Sequence, residues 1–300
     1  LYFVEEFLQM TLPCTVEDWR SKGDFITFNG HQIFYRDSDK NSKYPTVLLI
    51  HGFPTSSWDW CFIWPDLTSK FRVIAMDLLG FGFSDKPADI NYSIHLQADV
   101  VEAVVRACNA GEATLLVHDY GVSVGQELLA RHKEKKTFGI KAVCFLNGGL
   151  FPETHRARFI QKLLNSPIGF LIARLGNEQK FRSSFSAVFG AGTRPSEEEL
   201  KAYWRLITEQ NGQRIFHRLI RYIEDRKQHR TRWVGALQQA EVPVRLINGL
   251  DDPVSGAHML ARYRAVVGEG DIVELSGIGH YPQCESPKAV ATAFIEFARP

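Results

Sequence analysis

Val117-His118-Asp119-Tyr120-Gly121 is the stretch on which the reading of this 300-residue chain turns. Residues 114–117 form an apolar, β-like run and residues 122–132 a helix-like one, so the string spans a strand-to-helix turn. A side chain on so sharp a turn is pushed out of the sheet, beside the first N–H groups of the helix. A carboxylate there is a candidate nucleophile whose covalent intermediate would be an alkyl ester. Asp119 also suits a simpler and commoner role, that of an N-cap accepting the orphan N–H groups of the helix behind it. The surrounding sequence bears on the choice.

Upstream, residues 25–29 and 32–35 flank Asn29-Gly30, a pair that tolerates the positive φ of a hairpin turn. Short apolar runs follow at 46–50, 72–76, 114–117, 141–146, 244–248 and 272–275, as expected of parallel strands buried on both faces. Helical periodicity separates most of them: Leu96, Val100, Val104 and Val105 share one face, and Val124, Leu128 and Leu129 another. Alternating β and α segments predict an α/β fold, a mostly parallel sheet flanked by helices. Between residues 151 and 240 the alternation stops, and helix-like pieces at 156–164, 196–208 and 216–225 take over. An insertion of that length exceeds an ordinary connection and belongs over the C-terminal edge of the sheet, as a lid above Asp119. The expected organisation is therefore a core of residues 21–150 and 241–300, a helical lid at 151–240 and an N-terminal segment at 1–20.

Composition narrows the function classes. Lys and Arg number 35 against 34 Asp and Glu, which provides no overall field for nucleic acid, and the basic run at 221–232 reads as a solvated helix face. The five cysteines are scattered, without disulfide or zinc spacing, and Cys108 and Cys144 read as reduced core residues. No metal is expected. No segment approaches the roughly 20 apolar residues needed to span a bilayer. Leu1-Tyr2-Phe3-Val4, continuing to Phe7, Leu8 and Met10, reads either as an amphipathic docking helix that would support membrane association or, for its first three residues, as a cloning remnant.

Chemistry-bearing residues gather at the ends of these strands. His51-Gly52-Phe53-Pro54 follows the run at 46–50; glycine permits close backbone approach and proline has no N–H, which leaves the Phe53 N–H as a donor. With the Tyr120 N–H it would form an oxyanion hole around one Asp119 oxygen. His280, in Gly277-Ile278-Gly279-His280, follows the run at 272–275, in the place that the chain order nucleophile, acid, histidine requires of a general base. The acid should follow 244–248, where Asp251 and Asp252 stand; Asp252 is preferred, with Asp251 in reserve.

Taken together, HGFPTSSWDW at 51–60, DLLGFGFSDKP at 77–87, HDYG at 118–121, GLDDP at 249–253 and GHYPQCESP at 279–287 resemble the α/β-hydrolase family, in its epoxide hydrolase and haloalkane dehalogenase branch. Asn147-Gly148-Gly149, the string from Phe151 to Arg156 and the string from Arg232 to Leu237 are similar to a narrower, hydrolase-like group within it, the mesoderm-specific transcript proteins and their bacterial relatives. The resemblance implies Asp119 as nucleophile, His280 as base, Asp252 as its partner, Phe53 and Tyr120 as oxyanion donors, a cis Phe53–Pro54 bond, and His118 packed beneath the turn. Val117 departs from it, since a small residue is usual two places before the nucleophile.

Haloalkane dehalogenases clamp halide with a tryptophan after the nucleophile and an asparagine or second tryptophan; here Tyr120 and Phe53 stand in those places. Epoxide hydrolases use lid phenols as acids, and Tyr222 lies where that branch places one of its pair. His155 or Tyr203 would supply the other. The expectation is cofactor-independent opening of a small apolar epoxide by water to a vicinal diol. Haloalkane dehalogenation and a non-catalytic binding protein are the alternatives.

Overall fold

The computed structural model describes residues 12–299, so the reading of residues 1–11 lies outside the described residues. Eight strands form one sheet: β1 Asp24–Phe28, β2 His31–Asp37, β3 Thr46–Ile50, β4 Arg72–Met76, β5 Glu112–Val117, β6 Gly139–Phe145, β7 Val244–Gly249 and β8 Asp271–Leu275. Their order is β1-β2-β4-β3-β5-β6-β7-β8, antiparallel from β1 through β2 to β4 and parallel from there on. The hairpin turns on Asn29 and Gly30, whose φ angles of 49° and 83° explain why that pair stands there.

Alternation along the parallel strands divides the core in two. Leu48 and Ile50 of β3 pack into one apolar cluster with Ile74, Leu115 and Val117, while Val47 and Leu49 pack into the other with Val73, Ala75 and Leu116. Both faces are dry, which is why these strands read as continuous apolar runs rather than alternating ones. Helix Val16–Ser21 joins the second cluster: Trp19 sits edge-on to Trp64 at 5.0 Å, donates to Ser57 Oγ at 3.0 Å and lies 4.0 Å beneath the Arg36 guanidinium.

The chain passes from β3 to β4 on one side and then crosses from β4 to β5 on the other side of β3. The crevice outside the C-terminal ends of β3 and β5 is thus a topological switch point, the place where open α/β sheets bind ligands.

Between β6 and β7 the described chain contains helices and turns but no strand. The helix expected at 156–164 begins only at Phe159, and the one expected at 216–225 is two helices, Phe216–Leu219 and Tyr222–Gln228. Around Ile220 the bonding tightens to i→i+3, with Ile223 N–H donating to Ile220 O at 3.2 Å. The solvated-face reading of 221–232 is overturned. Arg226 is buried, Arg230 pairs with Glu153, and Arg232 donates to Glu127, a buried carboxylate that also takes the Trp233 N–H at 2.8 Å. Helix Arg230–Gln238 packs on helix Tyr120–Lys133, so charges that look like a surface run are the polar seam between insertion and core.

Candidate active site

Asp119 holds φ 45° and ψ −101°, a conformation costly for a residue with a side chain and one that turns β5 abruptly into helix Tyr120–Lys133. The turn closes because Gly121 can press against the neighbouring strand end: its N–H donates to His118 O at 2.8 Å and His51 O at 3.1 Å, and a Cβ there would sit 2.4 Å from Ile50 O. Val117, the departure noted in the sequence, is accommodated from the opposite side. Gly125 on the following helix faces it, and a Cβ at Gly125 would lie 3.1 Å from a Val117 methyl.

Although Asp119 occupies the N-cap position, its side chain makes no capping bond. Oδ2 instead accepts the Phe53 N–H at 2.9 Å, and Oδ1 lies 3.6 Å from His280 Nε2. The capping alternative therefore falls. The Phe53–Pro54 bond is cis. The Tyr120 N–H, first of its helix and so without an intrahelical acceptor, is the second main-chain donor at this turn.

His280 Nδ1 bonds Asp252 Oδ2 at 2.7 Å, and that carboxylate is saturated: Ser255 Oγ at 2.6 Å and Asn147 Nδ2 at 3.0 Å also reach Oδ2, while the Val254 N–H reaches Oδ1 at 2.7 Å. Asp251, the reserve, is exposed and accepts only the Gly277 N–H, at 3.3 Å. Burial works against both charges of the His280–Asp252 pair. Their mutual attraction, the donors on Asp252 and, for His280, the Asp119 carboxylate outweigh it, so the Asp252 carboxyl is held below its ordinary range and the His280 imidazole above its own. The His280 loop is fixed by Glu285, which accepts the Gly279 N–H at 2.8 Å and the Tyr281 N–H at 2.9 Å.

His118 lies beneath the turn, as the resemblance implies, with Nε2 2.7 Å from His280 O. Burial, with the His280 charge added, brings its imidazole down to about 3 and leaves it neutral.

Residues of the insertion pack against this turn. Tyr222 is buried with its ring 4.8 Å from that of Tyr120 and 6.2 Å from that of Phe53, and its hydroxyl has no partner among the described residues. Burial and the Asp119 charge push its phenol above the ordinary value, while Arg226 pulls it back. Both ring nitrogens of His155 are likewise sequestered and unpartnered, and burial together with the Arg226 cation takes the imidazole down to about 4. At neutral pH His155 thus offers a hydrogen bond rather than an acidic imidazolium. Tyr203 does not join them. Its hydroxyl meets Cys284 Sγ at 3.4 Å and its ring is wedged against Trp58 and Phe185, because helix Glu197–Thr208 packs that face into the second apolar cluster.

Two residues that belong to this constellation escaped the sequence reading. Asn147, at the end of β6, bonds the Asp119 N–H through its carbonyl at 2.9 Å and Asp252 through its amide, tying two strand ends together. Arg226 is 2% exposed; Nε donates to Ser123 Oγ at 2.6 Å and Nη2 to Asp119 O at 3.0 Å. Its guanidinium carbon lies 4.5 Å from the Tyr222 ring centroid, and Nη1 is buried with no partner. The signal was in the sequence, since residues 222 and 226 are one helical turn apart and share a face.

A small cavity lined by Phe53, Asp119, Phe185, Val188, His280 and Tyr281 adjoins an apolar cleft of about 470 Å³ under the insertion, with Phe53 and Pro54 common to both. Such a site can place a carboxylate against an electrophilic carbon, collect developing charge on main-chain donors and exclude bulk water.

A family profile described as alpha/beta hydrolase fold matches residues 45–287. The mesoderm-specific transcript homolog protein of Homo sapiens is 44% identical over 95% of this chain and 88% of its own length. LipZ of Mycobacterium tuberculosis is 40% identical over 95% of this chain and 98% of its own. Among solved structures, the haloalkane dehalogenase DbeA from Bradyrhizobium elkani superposes with a TM-score of 0.77 at 24% identity, covering 91% of this chain and 96% of that one, a likeness of fold.

Proposed function

This chain belongs to the alpha/beta hydrolase fold family, and we propose that it hydrolyses an epoxide to a vicinal diol through a covalent ester on Asp119. One observation carries the reading. An Asp119 oxygen stands 3.6 Å from His280 Nε2 in a cavity that both line, and beside it the ring of a buried insertion phenol, Tyr222, packs against Phe53 and Tyr120 with its hydroxyl unpartnered among the described residues.

In the first half-reaction Asp119 Oδ1 attacks a ring carbon and the ring C–O bond breaks. Tyr222 gives its proton to the departing alkoxide, His155 donates a hydrogen bond to the same oxygen, and the resulting phenolate rests beside the Arg226 cation. Oδ2, held by the Phe53 N–H, becomes the ester carbonyl oxygen. In the second half-reaction His280 Nε2 takes a proton from water, whose oxygen adds to the ester carbon. The charge falls on the Phe53 and Tyr120 N–H groups, and collapse releases the diol. The proton on His280 returns to Tyr222 through the product hydroxyl or solvent.

The Asp252 carboxylate chiefly, and Asp119 to a lesser degree, favour the imidazolium form of His280. Once esterified Asp119 carries no charge, so its share of that support is lost and His280 gives its proton to solvent more readily, toward the free base that water activation needs. The insertion then serves as a lid whose polar wall supplies the acid and whose apolar wall accepts the rest of the substrate.

The test is mass spectrometry of His280→Ala protein exposed to a panel of epoxides and haloalkanes. With the base removed, the ester should accumulate as a mass increase on the peptide carrying Asp119, without bromide release for the epoxides. No adduct from any epoxide, or an adduct from bromoalkanes alone, overturns the proposal. Wild-type turnover that vanishes in Asp119→Ala separates an enzyme from a protein that only binds.

A further inference from the structure

Eight large apolar side chains of the described residues are exposed, and six of them, Phe159, Ile160, Ile168, Phe170, Leu171 and Leu175, fall between residues 159 and 175. Phe159 is 77% exposed and Leu175 69%, on helices Phe159–Leu164 and Gly169–Leu175 at the outer face of the insertion. Scattered single apolar residues on a surface need no explanation, but a cluster on two neighbouring helices does. Charge marks the same segment. Residues 156–182 contain six cations and one carboxylate, Glu178, which is already paired with Arg182 at 2.6 Å. Arg156, Arg158, Lys162, Arg174 and Lys180 make no ion pair among the described residues.

Exposed aromatic and aliphatic side chains interspersed along one segment with unpaired cations form the footprint of a surface that lies in the headgroup region of an anionic bilayer. Ile168, Leu171 and Leu175 recur at i, i+3 and i+7, the spacing that lets one helix face enter the acyl boundary. Phe159, Ile160 and Leu175 also line the apolar cleft of about 470 Å³ that leads to Phe53 and Pro54 beside Asp119.

We propose that this outer face of the insertion docks on anionic phospholipid, so that the cleft opens toward the acyl chains and an apolar substrate enters from the bilayer. Among the described residues no helix is long and apolar enough to cross a membrane, so the contact is interfacial. The docking surface stands apart from the chemistry assigned above; only the route of entry rests on that reading.

The experiment is sedimentation of the full chain with vesicles of phosphatidylcholine, alone or mixed with phosphatidylglycerol, and it needs no turnover. Wild type should bind the mixed vesicles, far less the neutral ones, and release as salt screens the cations. Leu171→Asp with Ile168→Asp should weaken binding at least tenfold, and Arg174→Glu or Lys162→Glu about fivefold each. Unchanged far-ultraviolet circular dichroism and melting temperature would confirm that the variants are folded. The proposal is overturned by wild-type binding that ignores phosphatidylglycerol or by apolar variants that bind as wild type does. It is equally overturned if deletion of residues 1–11 alone abolishes binding, or if sedimentation velocity without lipid shows the patch buried in a dimer that the same variants dissociate.

Discussion

The two walls of the crevice are built on opposite principles. On the core wall the charged groups are already matched: Asp252 accepts four donors, His280 is clamped through Nδ1, and Asp119 holds the Phe53 N–H. On the insertion wall the polar atoms are buried and idle, namely the Tyr222 hydroxyl, both His155 nitrogens and Arg226 Nη1. A buried polar group without a partner costs on the order of 1–3 kcal/mol, and the proposed substrate would satisfy the Tyr222 hydroxyl and His155. The core wall holds its own charges in position; in the proposed reaction the insertion wall meets those of the substrate.

The sharpest way to break this contrast is at Asp119. Replacement by Asn should abolish adduct formation and lower turnover by about 10⁴-fold or more. Retention of activity would mean that the core wall is not where the bond forms. Next in size is Tyr222→Phe, which keeps the ring and removes the idle hydroxyl; loss of the acid should reduce the ring-opening rate by about 10²-fold in single-turnover measurements and leave ester hydrolysis unchanged.

Arg226→Met tests whether the insertion wall is tuned as a unit. It removes the cation beside Tyr222 and strands Ser123 Oγ and the Asp119 carbonyl, so it should destabilise the fold by about 2 kcal/mol in denaturant titration. It should also move the Tyr222 phenol further upward, read by ultraviolet difference titration against Tyr222→Phe, and Arg226→Lys should restore part of that shift. A destabilised protein whose phenol does not move would leave Arg226 a purely structural residue.

The smallest effect concerns His280. Because the Asp119 carboxylate helps hold its imidazole above the ordinary value, Asp119→Asn should lower that pKa, measured by NMR titration of the ring protons. The sign follows for stability. A folded-state value above the unfolded one near 6.5 gives stabilisation present in full below about pH 6.5 and lost as pH rises through the raised value. The Asn variant should lose less stability across that window. For catalysis, ester hydrolysis needs neutral His280, so its rate should fall toward acid with a midpoint below the pKa of the free protein.

Much of the core wall could be read along the chain. Asp119, His280 and Asp252 each follow an apolar strand run, and the ends of parallel strands lie along one edge, so sequence order alone brings them near one another. Asp252 was preferred with Asp251 in reserve, since both follow the same strand run, and the structure separates them by a local difference: one carboxylate faces Ser255, Asn147 and His280, the other solvent. The insertion wall was harder to read. Tyr203 and Tyr222 look equivalent as helix tyrosines, yet Cys284 takes the hydroxyl of one, while the other packs against Phe53 and Tyr120 with its hydroxyl unpartnered among the described residues. Arg226 hid in a basic run because charge along a sequence says nothing about which side of a helix meets a partner.

What the sequence by itself determined was periodicity: which runs are buried strands, which turn carries a carboxylate, and where the alternation gives way to helices. These are short-range properties, set by backbone sterics and by the burial of apolar faces. Tertiary packing decided which polar atoms are satisfied and which are left open. That depends on contacts between residues about 100 positions apart, such as Arg226 with Asp119, and they exist only once the insertion has folded back over the sheet.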